Sequence, residues 1–208
     1  MKIKAKGKFI TFEGSEGCGK STQSRLLYEY LKDKNKDAIY LREPGATKIS
    51  EKIRDILLDA KNQAIVPQTE MLLYMAARAQ IVGEIIEPAL EEGTIVICDR
   101  FLDSTLAYQG YGVGIDIPLI REVGKFVTRR LSPDLTIFLD LPVKKGLKHR
   151  EDIQDRIEMR SLEYHERVRK GYLALARQEP NRIKIVKVEE DKHVTQSNIR
   201  ELIEKYVF

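Results

Sequence analysis

An α/β fold, a five-stranded parallel sheet flanked by helices, is predicted from three observations on the 208-residue chain. Five short runs are apolar without strict alternation, as strands buried on both faces must be. Segments with apolar residues at helical spacing lie between these runs, the element order that builds a parallel sheet covered on both sides. The first run leads into Gly14-Ser15-Glu16-Gly17-Cys18-Gly19-Lys20-Ser21, whose spacing of Gly, four residues, Gly-Lys-Ser calls for a strand before it and a helix after it.

Taken in order, the predicted strands cover residues 9–12, 38–41, 94–98, 135–139 and 183–188. After the glycine-rich run, Leu26, Leu27, Tyr30 and Leu31 mark the first helix. Ile49, Ile53, Ile56 and Leu57 mark the next, and a long helical pattern covers 70–90, with a kink expected near Gly83 and Pro88. A basic helical stretch with Lys144, Lys145, Lys148, His149 and Arg150 follows the fourth strand. No linker composition or internal repeat divides the chain, so one domain over 1–208 is expected.

Composition excludes several classes of function. The net charge of +4 comes from 36 basic and 32 acidic residues interspersed along the chain, with no basic stripe of the kind a nucleic-acid surface needs. No apolar run approaches the ~18 residues of a membrane span, and no signal-peptide core is present, so a cytoplasmic protein is expected. Two cysteines, Cys18 and Cys98, are too few for a disulfide framework and form no zinc pattern.

The glycine-rich run reads as a phosphate cradle. Gly14, Gly17 and Gly19 let backbone N–H groups converge on an anion, Lys20 adds a positive charge, the Ser21 hydroxyl can hold Mg2+, and the next helix presents its positive end. Glu16, Ser15 and Cys18 complete the loop. In parallel α/β sheets, ligands bind beyond the carboxyl ends of the strands. There the second strand offers Arg42-Glu43-Pro44-Gly45, the third Asp99-Arg100 and the fourth Asp140. Asp99 is placed to serve the metal of a bound nucleoside triphosphate, while Arg42 and Arg100 offer planar donors for a second phosphate group. Two facing phosphate sites describe a phosphoryl transferase. Cys18, beside Lys20 and a helix N-terminus, is expected to be an acidified, reactive thiol that ATP protects.

The cradle, Arg42-Glu43-Pro44-Gly45 and above all Asp99-Arg100-Phe101-Leu102-Asp103-Ser104-Thr105-Leu106-Ala107-Tyr108-Gln109-Gly110 resemble the signatures of the thymidylate kinases. The resemblance continues through Ser132-Pro133-Asp134-Leu135 to Asp155-Arg156-Ile157-Glu158 and His165-Glu166-Arg167-Val168-Arg169, almost the whole chain. It implies a three-layer P-loop NTPase fold, direct transfer from ATP to dTMP in dTTP synthesis, Mg2+ as cofactor, and a homodimer with no nucleic-acid or membrane partner. By the same resemblance Lys20 bridges the donor phosphates, Arg42 and Arg100 hold the dTMP phosphate, and Glu16 lies near the acceptor sugar and the metal. Tyr74 stacks on thymine, Arg78 donates to the base, Ser104 and Thr105 line the base edge, and Tyr108 lies under the sugar. A mobile lid over 144–156 supplies an arginine to the transferring phosphoryl group, with Arg150 first and Arg156 second. Ala46, Ala77 and Ile81 depart from the family's usual residues.

The alternatives are another P-loop kinase acting on UMP, CMP or a deoxynucleoside, a P-loop regulatory ATPase, and a nucleic-acid-binding module.

Overall fold

A computed structural model describes residues 7–148 and 155–208. Five strands, β1 (Phe9–Gly14), β2 (Ala38–Arg42), β3 (Ile95–Asp99), β4 (Leu135–Asp140) and β5 (Ile183–Lys187), form one parallel sheet in the order β2-β3-β1-β4-β5. The cradle strand is therefore central, between β3 and β4. The chain first builds the β2 side and then crosses to the β4 side, so a crevice opens at the carboxyl end of β1, where such sheets bind ligands.

The two faces of β1 differ. Ile10 and Phe12 join Leu27 and Leu31 of α1 (Lys20–Asp33) and Ile199 and Ile203 of α9 (Lys192–Tyr206) in one core. On the other face Phe9 packs with Ile81, Val82, Ile86 and Leu90. Next to it, Phe138 of β4 packs with Val168, Tyr172 and Leu175 of α8 (Leu162–Gln178). Along this second face β1 presents Phe9, Thr11 and Glu13 in turn, all buried, so it becomes polar toward the crevice. Thr11 Oγ1 meets Thr136 Oγ1 at 2.7 Å, which satisfies both hydroxyls inside the core.

The remaining helices are α2 (Lys48–Leu58), α3 (Pro67–Ile81), α4 (Glu87–Glu91), α5 (Leu102–Thr105), α6 (Ile117–Val127) and α7 (Val143–Lys148). The kink expected near Gly83 and Pro88 takes the form of a π-helical turn, Val82–Ile86, joining α3 to α4. Pro88 lacks an N–H and crowds the preceding turn, and the widened turn absorbs that mismatch. A second π-helical segment, Leu106–Val113, continues α5 and carries Tyr108 and Gln109. Ile81, one of the departures from the family pattern, is wholly buried, as is Ala77. Among the described residues, no helix is long and apolar enough to cross a membrane.

Candidate active site

The first four apolar strand runs stop one or two residues short of the true strand ends, which lets site residues belong to the sheet itself. Arg42 pairs with Asp99 across β2 and β3, and Phe12 with Asp99 across β1 and β3. Beyond β1 the cradle turns into α1 through Gly14, Gly17 and Gly19, all in the positive-φ region. Gly17 also needs the absence of a side chain, because a Cβ there would lie 2.0 Å from the Gly146 carbonyl oxygen of α7. Gly19, the N-cap of α1, provides no side-chain cap, so the first-turn N–H groups of α1 have no side-chain acceptor from that position.

One cavity of about 520 Å³ lies over these strand ends. Its donor end is lined by Glu16, Gly17, Gly19, Lys20, Ser21, Thr22 and Asp99. Its other end is lined by Arg42, Tyr74, Arg100, Ser104, Thr105 and Tyr108, together with Glu43, Pro44, Arg54 and Gln109. Gly14, Ser15 and Cys18, expected to touch ATP, lie behind this lining. Lys20 Nζ donates to the Ser15 carbonyl at 2.8 Å, which folds the lysine across its own loop. Ser21 Oγ donates to Asp99 Oδ2, while Asp99 Oδ1 is buried and has no hydrogen-bond partner among the described residues. A hydroxyl beside a carboxylate with an unused oxygen suits a hard divalent cation that takes its other ligands from phosphate and water.

Arg100 sits at the centre of the acceptor end in the left-handed region at φ 74°, unusual for a residue with a Cβ. Its Nη2 donates to Glu16 Oε1 at 2.7 Å, and its guanidinium lies 4.9 Å from the Tyr108 ring centroid. Tyr108 Oη donates to the same Glu16 oxygen at 2.7 Å. Burial alone would raise the Glu16 carboxyl, but Arg100, Lys20 and the Tyr108 hydroxyl outweigh it and hold it at about 2. Glu16 is therefore a fixed anion at neutral pH.

Arg42 faces Glu51 of α2, with Nη2 at 3.1 and 3.0 Å from the two carboxylate oxygens. Glu51 Oε1 also accepts the Ala46 N–H at 2.7 Å. Ala46 adopts φ 68°, the left-handed conformation that favours glycine, at a cost of roughly 1 kcal/mol for alanine. Arg54, absent from the expected site, donates to the Pro44 carbonyl at 3.0 Å and lines the cavity.

Three expectations need correction. Arg78 does not line the cavity and shows no open guanidinium to a base. It is 2% exposed and commits four N–H groups, to Glu43 (2.8 Å), Thr105 Oγ1 (2.9 Å), the Phe101 carbonyl (2.9 Å) and Met75 Sδ (3.5 Å). It stands behind Thr105. Cys18 is also buried, and desolvation raises its thiol although Lys20 and Arg100 pull it down, the opposite direction to the acidification expected. Arg156, second choice for the lid, is tied to Glu70 of α3 at 2.6 Å and to the Leu57 carbonyl at 3.0 Å. Arg150 lies outside the described residues.

Glu13 was absent from the expected site, although an acidic residue ending an apolar strand beside the cradle is a readable signal. Its side chain is fully buried, and burial together with the Asp103 charge raises it to about 7 against the pull of Ser104, Tyr172 and Arg100.

A triphosphate cradle, a neighbouring carboxylate and an arginine-lined second site on one parallel sheet define the class: a P-loop phosphoryl transferase acting on a phosphorylated acceptor. Residues 12–199 match the thymidylate kinase family model. The chain is 45% identical over 203 residues to a thymidylate kinase of Thermoanaerobacter sp. (strain X514), covering 97% of this chain and all of that one. It is 48% identical over 198 residues to that of Symbiobacterium thermophilum, covering 95% and 92%. The crystal structure of thymidylate kinase from Ehrlichia chaffeensis superposes with a TM-score of 0.80 at 33% identity, covering 95% of this chain and 99% of that one. This chain belongs to the thymidylate kinase family, the enzymes that phosphorylate dTMP for dTTP synthesis.

Proposed function

We propose that ATP and dTMP enter this cavity from opposite ends and that a phosphoryl group passes between them in line above β1 and β3. The carrying observation is that one continuous cavity joins the cradle residues Gly17, Gly19, Lys20, Ser21 and Thr22 to Arg42, Arg100, Tyr74 and Tyr108. The triphosphate lies on the backbone of the cradle and the open first turn of α1, with Lys20 swinging from the Ser15 carbonyl to the donor phosphates. Mg2+, held by Ser21 and Asp99, would neutralise phosphate charge during transfer.

The dTMP phosphate faces Arg100 and Arg42, each already oriented by a carboxylate. Its anionic oxygen attacks directly, so no general base is required; the protein positions the reactants and offsets charge. Tyr74 lines the cavity where the thymine stacks, Ser104 and Thr105 form the base edge, and Arg78 stiffens that edge from behind through Thr105. Tyr108, held by Glu16, closes the space a 2'-hydroxyl would need. A lid role for Arg150 rests on the sequence alone. Within a single domain over 1–208, exposed Val66 and Leu72 near and on α3, and Leu119 and Phe126 on α6, supply the apolar face that a homodimer would cover. The cytoplasm is the expected location.

The test is a panel of acceptors with ATP and Mg2+, read by ADP release. We expect dTMP to be used best, dUMP less well, and CMP and ribonucleotides little. Preference for CMP would overturn the base-edge assignment. ADP release independent of any acceptor would favour a regulatory ATPase.

A further inference from the structure

We propose that Glu13 is a positioning residue for the acceptor half of the reaction: its buried carboxylate fixes the backbone on either side of Arg100 and so aims that guanidinium at the acceptor phosphate. The inference rests on the reading of Arg100 as a phosphate ligand.

The geometry has three parts. First, two consecutive residues of β1 hold the two peptide N–H groups that flank the Arg100 side chain. Arg100 N donates to the Phe12 carbonyl at 2.9 Å, and Phe101 N donates to Glu13 Oε1 at 2.7 Å. With both ends tied to a central strand, the left-handed conformation of Arg100 is imposed by its surroundings, as unfavourable backbone must be if it is to persist.

Second, Glu13 caps α5 from elsewhere in the chain. Phe101 is the N-cap of α5 and Ser104 its third residue; Ser104 N also donates to Glu13 Oε1, at 3.3 Å. These are the two N–H groups that a capping box satisfies, and a carboxylate from β1 serves both here. Phe101 itself has no polar side chain to do so.

Third, the other oxygen reaches the cavity wall. Glu13 Oε2 accepts Ser104 Oγ at 2.6 Å and Tyr172 Oη at 2.8 Å, and those two hydroxyls lie 2.9 Å apart. Ser104 Oγ also lies 3.4 Å from Arg100 Nη1 and lines the cavity. One fully buried carboxylate thus sets the main chain next to Arg100 and a side-chain oxygen beside its guanidinium.

The experiment compares Glu13→Gln, Glu13→Asp and Glu13→Met, with Arg100→Ala as reference, by binding of dTMP and of thymidine and by steady-state kinetics. Glutamine is isosteric: its oxygen can accept the two N–H groups while its amide donates to the hydroxyls, and the expected dTMP kcat/KM is within about threefold of wild type. Aspartate is one methylene shorter and releases Phe101 N; methionine fills the space without any acceptor and without a buried charge. Whichever of these two folds, by melting temperature, should lose about 10- to 100-fold in dTMP kcat/KM, the scale of a misaimed catalytic group. Thymidine, which has no phosphate, should still bind within about twofold, and KM for ATP should hold.

Wild-type dTMP binding in Glu13→Asp or Glu13→Met overturns the proposal. An equal loss for thymidine also overturns it, because Glu13 would then be supporting the fold of the pocket as a whole. Unaltered dTMP binding in Arg100→Ala would instead overturn the reading of Arg100 on which the proposal stands.

Discussion

The two ends of the cavity are built by different means. At the donor end the main chain does most of the work: three positive-φ glycines shape the loop, α1 begins without a side-chain cap, and Lys20 rests on a carbonyl of its own loop. At and behind the acceptor end three arginines are already matched with carboxylates, Arg42 with Glu51, Arg78 with Glu43 and Arg100 with Glu16, while Arg54 rests on the Pro44 carbonyl. A backbone site meets its anion with little rearrangement. A site of paired side chains is oriented in advance, and an incoming phosphate must share or displace the resident carboxylate. Function and stability should therefore separate at the donor end and be entangled at the acceptor end.

The largest expected effect tests the donor end. Lys20→Ala should lower kcat by about 10³-fold, the scale of removing a charge that stabilises the transferring phosphoryl group, while dTMP still binds. Among the described residues Lys20 Nζ donates to the Ser15 carbonyl and makes a long approach to Cys18 Sγ, so the melting temperature should move by no more than about 2 °C. A large loss of stability would show that the cradle too is held together by side chains.

At the acceptor end the order should reverse. Arg78→Ala removes a guanidinium that is 2% exposed and leaves Glu43 buried without its partner. Breaking a buried pair from one side costs about 3–5 kcal/mol, or roughly 6–20 °C in melting temperature for a chain of this size. The turnover of what remains folded should fall less than in Lys20→Ala. A stable Arg78→Ala with thymine discrimination lost would return Arg78 to direct contact with the base.

The same contrast decides what could be read from the sequence. The five strands were legible from their apolar runs, and so was the cradle, because both are local: glycine spacing and strand composition suffice. The ends of the first four strands were placed a residue or two early because backbone pairing continues through residues such as Arg42, Asp99 and Asp140 after the apolar run stops, and the fifth was placed one residue late. Arg42 and Arg100 were read from the strand ends, the other acceptor residues came from the family resemblance, and the ion pairs that hold the arginines were missed. Glu16 and Arg100 are 84 residues apart, and Glu43 and Arg78 are 35 apart, so no local pattern couples them. The direction of the Cys18 shift was misread for the related reason that sequence neighbours announce nearby charge but not burial, and desolvation here raises the thiol.

The smallest expected effect addresses whether resident carboxylates compete with substrate. Arg42 and Glu51 are each 40% exposed, so their attraction is screened and is worth at most about 1 kcal/mol. If Glu51 mainly occupies Arg42 until a phosphate arrives, Glu51→Gln should free the guanidinium and tighten dTMP binding by up to about fivefold. Glutamine can still accept the Ala46 N–H through its oxygen, so the strained turn at φ 68° should survive. If Glu51 mainly aims Arg42, the same variant should weaken binding by a similar factor. Titration with dTMP at two salt concentrations separates the cases: competition predicts that salt weakens binding to the variant more steeply than to wild type, because the freed arginine then meets the phosphate with its full charge.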